Sequence, residues 1–273
     1  MPLIRYHQHI SDESVVHPFD LTDRGLLLGD GVFDTSLVIG GQIALRARHI
    51  RRLESAAAAL GLPFCREALE ALAEDAVPEG ATGALRLTIT RGTGARGLAV
   101  TGAIEPSLIA TFSPFEPVYP LAPLRLTVSD IARNPTSPAA RFKTLSYGDN
   151  IQGMTRAQRA GFDDALYCTA DGRIACSSVA NLFFRFGASL VTPPPDDGVV
   201  QGVMRGWILD RYSKATEQSV TVEEALTADA IYATNSLQLI RAVGMLEDRH
   251  FETDLPPELQ GLLERLVSEV PDD

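Results

Sequence analysis

The sequence predicts an α+β protein built from two lobes. Strand-like and helix-like segments are mixed along its 273 residues, without the strict strand–helix alternation of a doubly wound fold. A proline-rich stretch, SPFEPVYPLAPL, lies between two such mixed regions and has the composition of a linker. We therefore predict an N-terminal α/β lobe over residues 1–113, a linker over 114–123 and a C-terminal lobe over 124–273.

The N-terminal lobe is predicted to contain a hairpin, two helices and two strands. In LVIGGQIALR, Gly40 and Gly41 join two apolar runs, which is the pattern of a hairpin. The segment HIRRLESAAAALGL has apolar residues at helical spacing, and Gly61 and Pro63 end it. A second helix is predicted over residues 66–75, and the runs ALRLTITRG and PSLIATF then predict strands.

The C-terminal lobe is predicted to open with a strand, LRLTVSDI, and a polar loop that leads into the helix IQGMTRAQRAG. Four short strands are predicted next, in DDALYCTA, GRIACSS, NLFFRF and ASLVTP. A helix over residues 203–213 and a final strand, AIYATNS, complete the predicted core. The segment PELQGLLERLVSEV closes the chain as an amphipathic helix.

Composition and charge exclude several classes of function. The formal net charge of −11 repels nucleic acid and anionic membranes, so neither is an expected partner. The three cysteines are sparse and contain no close pair, which argues against a disulfide framework or a metal site. No apolar run reaches the roughly 18 residues of a membrane span, and MPLIRYHQHISDES lacks an apolar signal core. We therefore expect a cytoplasmic protein that acts on small molecules.

Lys143 is the first candidate for catalysis, and its neighbours support that choice. It lies in RFKTLSYGDN, which resembles the cofactor-lysine segment of the class IV aminotransferases, enzymes that use pyridoxal 5'-phosphate (PLP). In that family, Leu, Tyr and Asn follow the lysine at this spacing. The resemblance implies that the Lys143 amine forms a Schiff base with the cofactor aldehyde and moves a proton on the substrate α-carbon. It also implies that Tyr147 hydrogen-bonds the cofactor phenolate oxygen.

Five further segments resemble motifs of this family in the family's order. They are LGDGVFDT at 28–35, HIRRL at 49–53, NLFF at 181–184, GVMR at 202–205 and TNS at 234–236. The resemblance assigns the cofactor phosphate to Arg52, to the backbone N–H groups of Val203 and Met204 at a helix N-terminus, and to the Ser236 hydroxyl. It also implies the two-lobed fold-type IV architecture of the D-amino-acid aminotransferases.

Arg96 is the predicted ligand for a substrate carboxylate. The segment LTITRGTGARG resembles an R-G-x-G-x-R-G motif of aminodeoxychorismate lyases and their transaminase relatives, and the planar fork of an arginine matches a carboxylate. Phe33 and Thr35 are assigned to substrate binding by the same resemblance. D-amino-acid transaminases often have a histidine two residues after this arginine, whereas this chain has Leu98, which argues against that subclass.

Cys176 departs from the family pattern at the predicted cofactor site. It lies five residues before Asn181, where the family usually has a glutamate that salt-bridges the pyridine nitrogen of the cofactor. A thiol has an unperturbed pKa of about 8.5 and is a weak hydrogen-bonding group. Three interpretations stay open: a nearby acid takes over, the ring nitrogen stays neutral, or the protein is a degenerate relative.

The resemblance predicts a transaminase that moves an amino group between an amino acid, including branched-chain or D-amino acids, and a 2-oxo acid. An aminodeoxychorismate lyase, releasing pyruvate and 4-aminobenzoate, is the alternative, because elimination needs a single carbanion and is less demanding of a weak electron sink. A non-catalytic PLP-binding homologue is a third hypothesis. Since members of the family are usually dimers, a homodimer is expected.

Overall fold

The chain forms two compact units in the computed structural model, which describes residues 19–101, 105–116 and 118–273 and the backbone of 4–9. The first unit comprises Met1–Pro117, Phe142–Ser146 and Glu269–Asp273. The second comprises Val118–Arg141 and Tyr147–Ser268. The division from sequence gave Lys143 to the C-terminal lobe, whereas the segment that carries it packs with the first unit.

The first unit is a five-stranded sheet with helices. Its described elements are β1 (Ile4–His9), α1 (Arg24–Leu28), β2 (Gly31–Ile39), β3 (Gln42–Ile43), α2 (Arg46–Ala59), α3 (Arg66–Ala76), β4 (Gly83–Thr90) and β5 (Ser107–Pro114). The strand order is β1-β5-β4-β2-β3, with β1 parallel to β5 and the other pairs antiparallel. The two helices and the two strands predicted for this region are confirmed, although α2 begins three residues before His49.

The predicted hairpin and amphipathic helices explain how this sheet is covered. Gly40 and Gly41 adopt φ angles of 58° and 82° in the turn between β2 and β3, where a left-handed backbone favours glycine. Burial of apolar side chains from α2 and α3 against the sheet drives this packing. The core side chains include Ile50, Leu53, Leu69, Leu72, Leu85, Leu87, Ile89 and Leu108.

The second unit is a nine-stranded mixed sheet with helices. Its elements begin with β6 (Leu124–Val128), α4 (Pro138–Arg141), α5 (Gly148–Arg159), β7 (Asp164–Cys168), β8 (Ile174–Ser177), β9 (Asn181–Phe186) and β10 (Ser189–Thr192). They continue with α6 (Val203–Arg211), β11 (Ala215–Glu217), α7 (Val222–Ala225), β12 (Ala230–Asn235), β13 (Leu239–Leu246), β14 (Arg249–His250) and α8 (Pro257–Glu269). The strand order is β11-β10-β9-β12-β13-β6-β7-β8, and β14 pairs with β13.

The four short strands predicted for this region are confirmed as β7 to β10, and the closing helix as α8. The prediction that AIYATNS is the final strand of the core is wrong, because β13 follows it and lies between β12 and β6. The sequence of β13 hides this strand. A register shift between Val243 and Met245 interrupts its pairing, so its buried positions do not alternate regularly.

Apolar side chains of β6, β7, β9, β12 and β13 form the core of the second unit. Leu126, Leu166, Phe184, Ile231 and Val243 are all fully buried in it. Within the described part of the chain, no helix is both long and apolar enough to cross a membrane.

Candidate active site

Lys143 is held beside β2 in the first unit by backbone hydrogen bonds. The Phe33 N–H donates to the Lys143 carbonyl at 2.9 Å, and the Leu145 N–H donates to the Gly31 carbonyl at 3.0 Å. A Cβ atom at Gly31 would lie 2.6 Å from the Ile89 carbonyl oxygen and 2.8 Å from the Leu145 side chain. Glycine at this position therefore permits the close approach that places Lys143 next to the GDGVFD motif.

The Lys143 amine lies 4.4 Å from the centre of the Phe33 ring. Burial lowers the pKa of Lys143 to about 7, with a further lowering from the positive charges of Arg52 and Arg86. The negative charge of Asp34 opposes that shift but does not cancel it. A substantial fraction of this amine is therefore uncharged near neutral pH, as a nucleophile requires.

Asp34, His49 and Arg52 form a buried network in the same unit. One Asp34 carboxylate oxygen accepts from His49 Nδ1 at 2.6 Å and from Arg52 Nη2 at 2.7 Å, and the other accepts from Arg52 Nε at 2.7 Å. Asp34 is only 1% exposed. Its position alternates along β2 with those of Phe33 and Thr35, so it lies on the side of the strand that packs against α2.

The charges of this network follow from its contacts. Although burial alone would raise it, the pKa of Asp34 is held well below its usual range by Arg52 and His49. Burial lowers the pKa of His49, and the charges of Arg52 and Lys143 act in the same direction against the opposing effect of Asp34. His49 is therefore neutral, with its Nδ1–H donated to an ionised Asp34.

Arg86 is a functional candidate that the sequence interpretation missed. Its guanidinium carbon lies 3.6 Å from the centre of the Phe33 ring, and its Nε donates to the Thr88 hydroxyl at 3.3 Å. It pairs with Thr35 across the β2–β4 ladder. The signal in the sequence was an arginine that alternates with the buried leucines of β4, and therefore lies on the opposite face of the sheet.

Cys176 lies in β8 of the second unit, opposite Tyr167 of β7. Arg133 donates from Nη2 to the Cys176 sulfur at 3.4 Å and from Nη1 to the Asn150 side-chain oxygen at 3.2 Å. Its guanidinium lies 5.1 Å from the centre of the Tyr167 ring. Burial would lower the pKa of Arg133, but Cys176, Tyr167 and Tyr147 raise it, so it remains a cation.

Asp164 is the acid to consider for the interpretation in which a neighbour replaces the missing glutamate. It is buried at the start of β7, where its side chain accepts from the backbone N–H groups of Ala165 at 2.7 Å and Ser178 at 3.3 Å. Burial raises the pKa of Asp164. These contacts tie it to the backbone around Ser178 rather than to Cys176 itself.

The second unit also contains a helix N-terminus suited to an anion. Gly202 precedes α6, which begins at Val203, and no side chain in the described part of the chain caps the first N–H groups of this helix. A Cβ atom at Gly202 would overlap the Asn181 side chain. On the neighbouring β12, the Thr234 hydroxyl is buried and has no hydrogen-bond partner among the described residues. An uncapped helix N-terminus and a buried hydroxyl are groups that a phosphate satisfies.

Comparison with known proteins decides the family. The family model for amino-transferase class IV matches residues 31–245. The chain belongs to the class IV aminotransferase family. Phe33 and Asp34 of the first unit and α6 of the second unit fall within the matched region.

Relatives in the class IV aminotransferase family include both lyases and transaminases. Aminodeoxychorismate lyase of Bacillus subtilis is 27% identical over 250 residues, covering 88% of this chain and 84% of that protein. A bifunctional aminodeoxychorismate lyase/D-amino acid transaminase of Mycobacterium tuberculosis is 26% identical, covering 83% and 85%. The crystal structure of 4-amino-4-deoxychorismate lyase from Pseudomonas aeruginosa matches with a TM-score of 0.81 and 27% identity, covering 96% and 98%. The predicted fold-type IV architecture is confirmed.

The site residues predicted from the sequence are distributed over the two units. Lys143, Arg52, Phe33 and Thr35 lie in the first unit, as does Arg96, which is exposed in the loop after β4. The other predicted site residues lie in the second unit, namely Tyr147, Cys176, Val203, Met204 and Ser236. Val203 and Met204 are buried, whereas Tyr147 and Ser236 are partly exposed.

Asp34, His49, Arg86 and Arg133 were not singled out from the sequence. Asp34 and His49 were visible as motif letters, but the sequence does not show that they meet. Among the described residues, no group of three or more His, Cys, Asp or Glu side chains is arranged to hold a metal ion.

Proposed function

We propose that this protein is a PLP-dependent aminotransferase that moves an amino group between an amino acid and a 2-oxo acid. The observation that carries the proposal is the Lys143 amine, whose pKa is lowered to about 7 beside Arg52 and Arg86. Members of the family are PLP-dependent, and a Mycobacterium tuberculosis relative is known in a PLP-bound form. A lysine whose surroundings disfavour its charge is more often a functional residue than a structural one.

The side chains of this chain fit the chemical groups of PLP. Lys143 supplies the amine for the aldehyde, Arg52 a cation for the phosphate, and Val203 and Met204 the uncapped N–H groups of a helix N-terminus. We extend the phosphate contacts from Ser236 to Thr234, because no described residue hydrogen-bonds its buried hydroxyl. When bound, PLP supplies an electron sink for the carbanion formed at the substrate α-carbon.

Lys143 has two tasks in this proposal. Its uncharged amine would hold the cofactor aldehyde through a C=N bond, with loss of water, and when freed by the substrate amine it would take the proton from the α-carbon and deliver it to the former aldehyde carbon. A pKa near 7 suits both tasks, because the amine can accept and release a proton in neutral solution. The Phe33 ring covers one side of the amine, which restricts the approach of water.

Arg86 and Arg96 are the two candidates for binding a substrate carboxylate. The resemblance assigns that role to Arg96, while the contact of Arg86 with Phe33 brings it close to Lys143. Parallel Arg86→Leu and Arg96→Leu variants distinguish them. The binding arginine should lose roughly ten- to a hundredfold in carboxylate-substrate affinity while cofactor affinity is retained. Equal loss for a simple amine substrate would argue against the role in either case.

Aminodeoxychorismate lyase activity is the second candidate function. It is favoured by Cys176, which faces Arg133 where a carboxylate would hold a ring nitrogen protonated. A weaker electron sink costs full transamination more, since that reaction needs two half-reactions. The lyase relatives, at 27% identity, are compatible with it but do not distinguish it from transamination.

We further propose that the protein is a homodimer. The first unit exposes the apolar residues Leu26, Leu27 and Leu98, whose relative exposures are 58%, 62% and 80%. The Leu98 carbonyl accepts from Arg24 of α1, which joins the loop that carries Leu98 to the helix that carries Leu26 and Leu27. Exposed apolar clusters of this kind are typical of interfaces. Light scattering of the purified protein tests the assignment, and a monomeric mass would contradict it.

The decisive experiment is to load the purified protein with PLP and offer amino acids of both hands and aminodeoxychorismate, following the cofactor spectrum and the products. A 2-oxo acid formed from an amino acid supports the transaminase, whereas pyruvate with 4-aminobenzoate supports the lyase. Borohydride should link the cofactor covalently to Lys143, and Lys143→Ala should lower turnover by at least about 10²–10⁴-fold. Cofactor binding without turnover of any substrate would leave the non-catalytic homologue.

A further inference from the structure

We propose that Asp34 and His49 are positioning residues that fix the orientation of Arg52 and control the charge of the Lys143 amine. The part that concerns Arg52 rests on the proposed function, since it supposes that Arg52 meets a phosphate. The part that concerns Lys143 does not, because it describes the protein without any cofactor.

The geometry of Arg52 supports the first part. The Asp34 carboxylate lies along one edge of the Arg52 guanidinium and accepts hydrogen bonds from Nε and Nη2, both at 2.7 Å. Two parallel hydrogen bonds fix the plane of the group, so its remaining edge has a defined direction. The Arg52 side chain is 15% exposed, whereas that of Asp34 is 1% exposed, so a ligand can reach the arginine but not the carboxylate.

His49 completes the coordination of Asp34 from the same helix. Its Nδ1 lies 2.6 Å from the oxygen that also accepts from Arg52 Nη2. Because His49 lies three residues before Arg52, the two side chains project from one face of α2. His49 therefore adds a neutral donor that holds the carboxylate in place without adding a charge.

Lys143 is surrounded by more positive than negative charge. Arg52 of α2 and Arg86 of β4 lower the pKa of Lys143, and Asp34 of β2 raises it. The Lys143 amine and the Arg86 guanidinium both lie against the Phe33 ring. Asp34 is the negative group among these neighbours, and it offsets the charge of Arg52. The charges of Asp34 and Arg52 therefore offset each other at Lys143. Removal of Asp34 should lower the pKa of Lys143, and removal of Arg52 should raise it.

The two variants should shift the pKa of Lys143 in opposite directions, which a general loosening of the fold would not do. Asp34→Asn removes the negative charge, so the titration midpoint of Lys143 should move about one unit or more below its value of about 7. Arg52→Gln removes a positive charge, so the midpoint should rise by a comparable amount. Loosening of the fold would instead expose Lys143 and move the midpoint upward in both variants. His49→Gln should leave it within a few tenths of a unit.

The titration uses the protein without cofactor. Trace labelling with acetic anhydride between pH 5 and 10, followed by peptide mass spectrometry, reports the uncharged fraction of Lys143. Asp30→Asn is the matched control, because Asp30 also accepts from two arginines of the same unit, Arg24 at 2.9 Å and Arg91 at 2.8 Å. That control should not move the midpoint, since Asp30 is not among the groups that act on Lys143.

Each outcome decides the proposal. A downward shift in Asp34→Asn and an upward shift in Arg52→Gln, with Asp30→Asn unchanged, support it. An upward shift or none in a folded Asp34→Asn overturns it, and if that variant does not fold, the absence of a rise in Arg52→Gln does so. In a parallel titration with PLP, Asp34→Asn should bind roughly tenfold more weakly and Asp34→Glu should recover part of the loss. If the unaltered protein fails to bind PLP, the proposed function fails, while the titration of Lys143 still decides the control of its charge.

Discussion

Each of the two units contains an arginine that binds a buried side chain, and the two arginines meet different partners. Arg52 is paired in a bidentate manner with Asp34, which is 1% exposed, and a neutral histidine completes the network. Arg133 is 8% exposed and meets the Cys176 sulfur and an amide oxygen, while its buried Nε has no hydrogen-bond partner among the described residues. The first region is balanced in charge and the second carries a net positive charge.

The two arginines should therefore differ in the free energy that their removal costs. A buried ion pair is costly to break because the remaining partner becomes an uncompensated charge. A buried arginine that donates to neutral acceptors leaves only neutral groups behind when it is removed. Removal of either charged partner should therefore destabilise the first region strongly, whereas the second region can accept a carboxylate beside its arginine. Four predictions test this contrast.

Arg52→Ala should have the largest effect. It leaves the buried Asp34 carboxylate with only His49 as donor, which we expect to cost about 3–5 kcal/mol of unfolding free energy. Under the proposed function, PLP affinity should also fall roughly ten- to a hundredfold. Chemical denaturation and a PLP titration measure the two effects.

Arg46→Ala is the matched control for that variant, because Arg46 lies on the same helix but pairs with Glu74, which is 62% exposed. An exposed pair of this kind contributes about 0–1 kcal/mol. Equal destabilisation by the two variants would contradict the contrast between buried and exposed pairs. Unchanged PLP affinity in Arg52→Ala would assign the phosphate to other residues.

Lys143→Met should stabilise the protein without cofactor, by about 2–4 kcal/mol at pH 7. The pKa of Lys143 is about 7 in the folded protein, below the ordinary value of 10.5. Between these values the unfolded chain binds more protons, so the stability of the unaltered protein rises with pH. The gain from Lys143→Met is therefore full below pH 7 and fades toward pH 10.5. Denaturation at pH 6, 8 and 10 measures the gain in unfolding free energy. A gain independent of pH would show that the charge of Lys143 does not destabilise the folded protein.

The sequence predicted the fold better than it predicted the network around the lysine. Periodicity and turn residues identified α2, α3 and the β7–β10 strands, because those signals are local. The motif letters led to Lys143 and Arg52. The contact of Asp34 with His49 depends on how α2 packs against β2, and local patterns do not encode that distance. The pairing of Arg133 with Cys176 joins residues 43 positions apart for the same reason.

Arg133→Met should cost less than Arg52→Ala. The substitution removes hydrogen bonds to Asn150 and Cys176 and a contact with the Tyr167 ring, but it leaves no unpaired charge. We expect a loss of about 1–2 kcal/mol, since each hydrogen bond contributes about 1 kcal/mol and a buried charge is removed at the same time. Denaturation beside Arg52→Ala provides the comparison. A loss as large as that of Arg52→Ala would contradict the contrast between the two regions.

Cys176→Glu should have the smallest net effect on stability. It would give Arg133 a carboxylate partner, as Asp34 is the partner of Arg52. The introduced carboxylate would meet the Arg133 guanidinium, which already points at this position from 3.4 Å. A charge-assisted pair contributes about 1.5–3 kcal/mol, and overpacking by the larger side chain costs about 1–3 kcal/mol, so the two nearly cancel. Cys176→Gln has the same size without the charge and isolates the electrostatic part.

The pH dependence of that pair of variants separates their causes. Arg133 lowers the pKa of a neighbouring carboxylate, so Cys176→Glu should be more stable than Cys176→Gln at neutral pH and lose that advantage as the pH falls through the carboxylate's folded pKa. If Cys176 also faces the ring nitrogen of PLP, the carboxylate should keep that nitrogen protonated, change the cofactor spectrum and speed removal of the α-proton. A normal fold with an unchanged spectrum and unchanged half-reaction rates would mean that Cys176 does not contact the nitrogen. The structural pairing with Arg133 would then stand alone, as a feature of the second unit that serves its packing and not its chemistry.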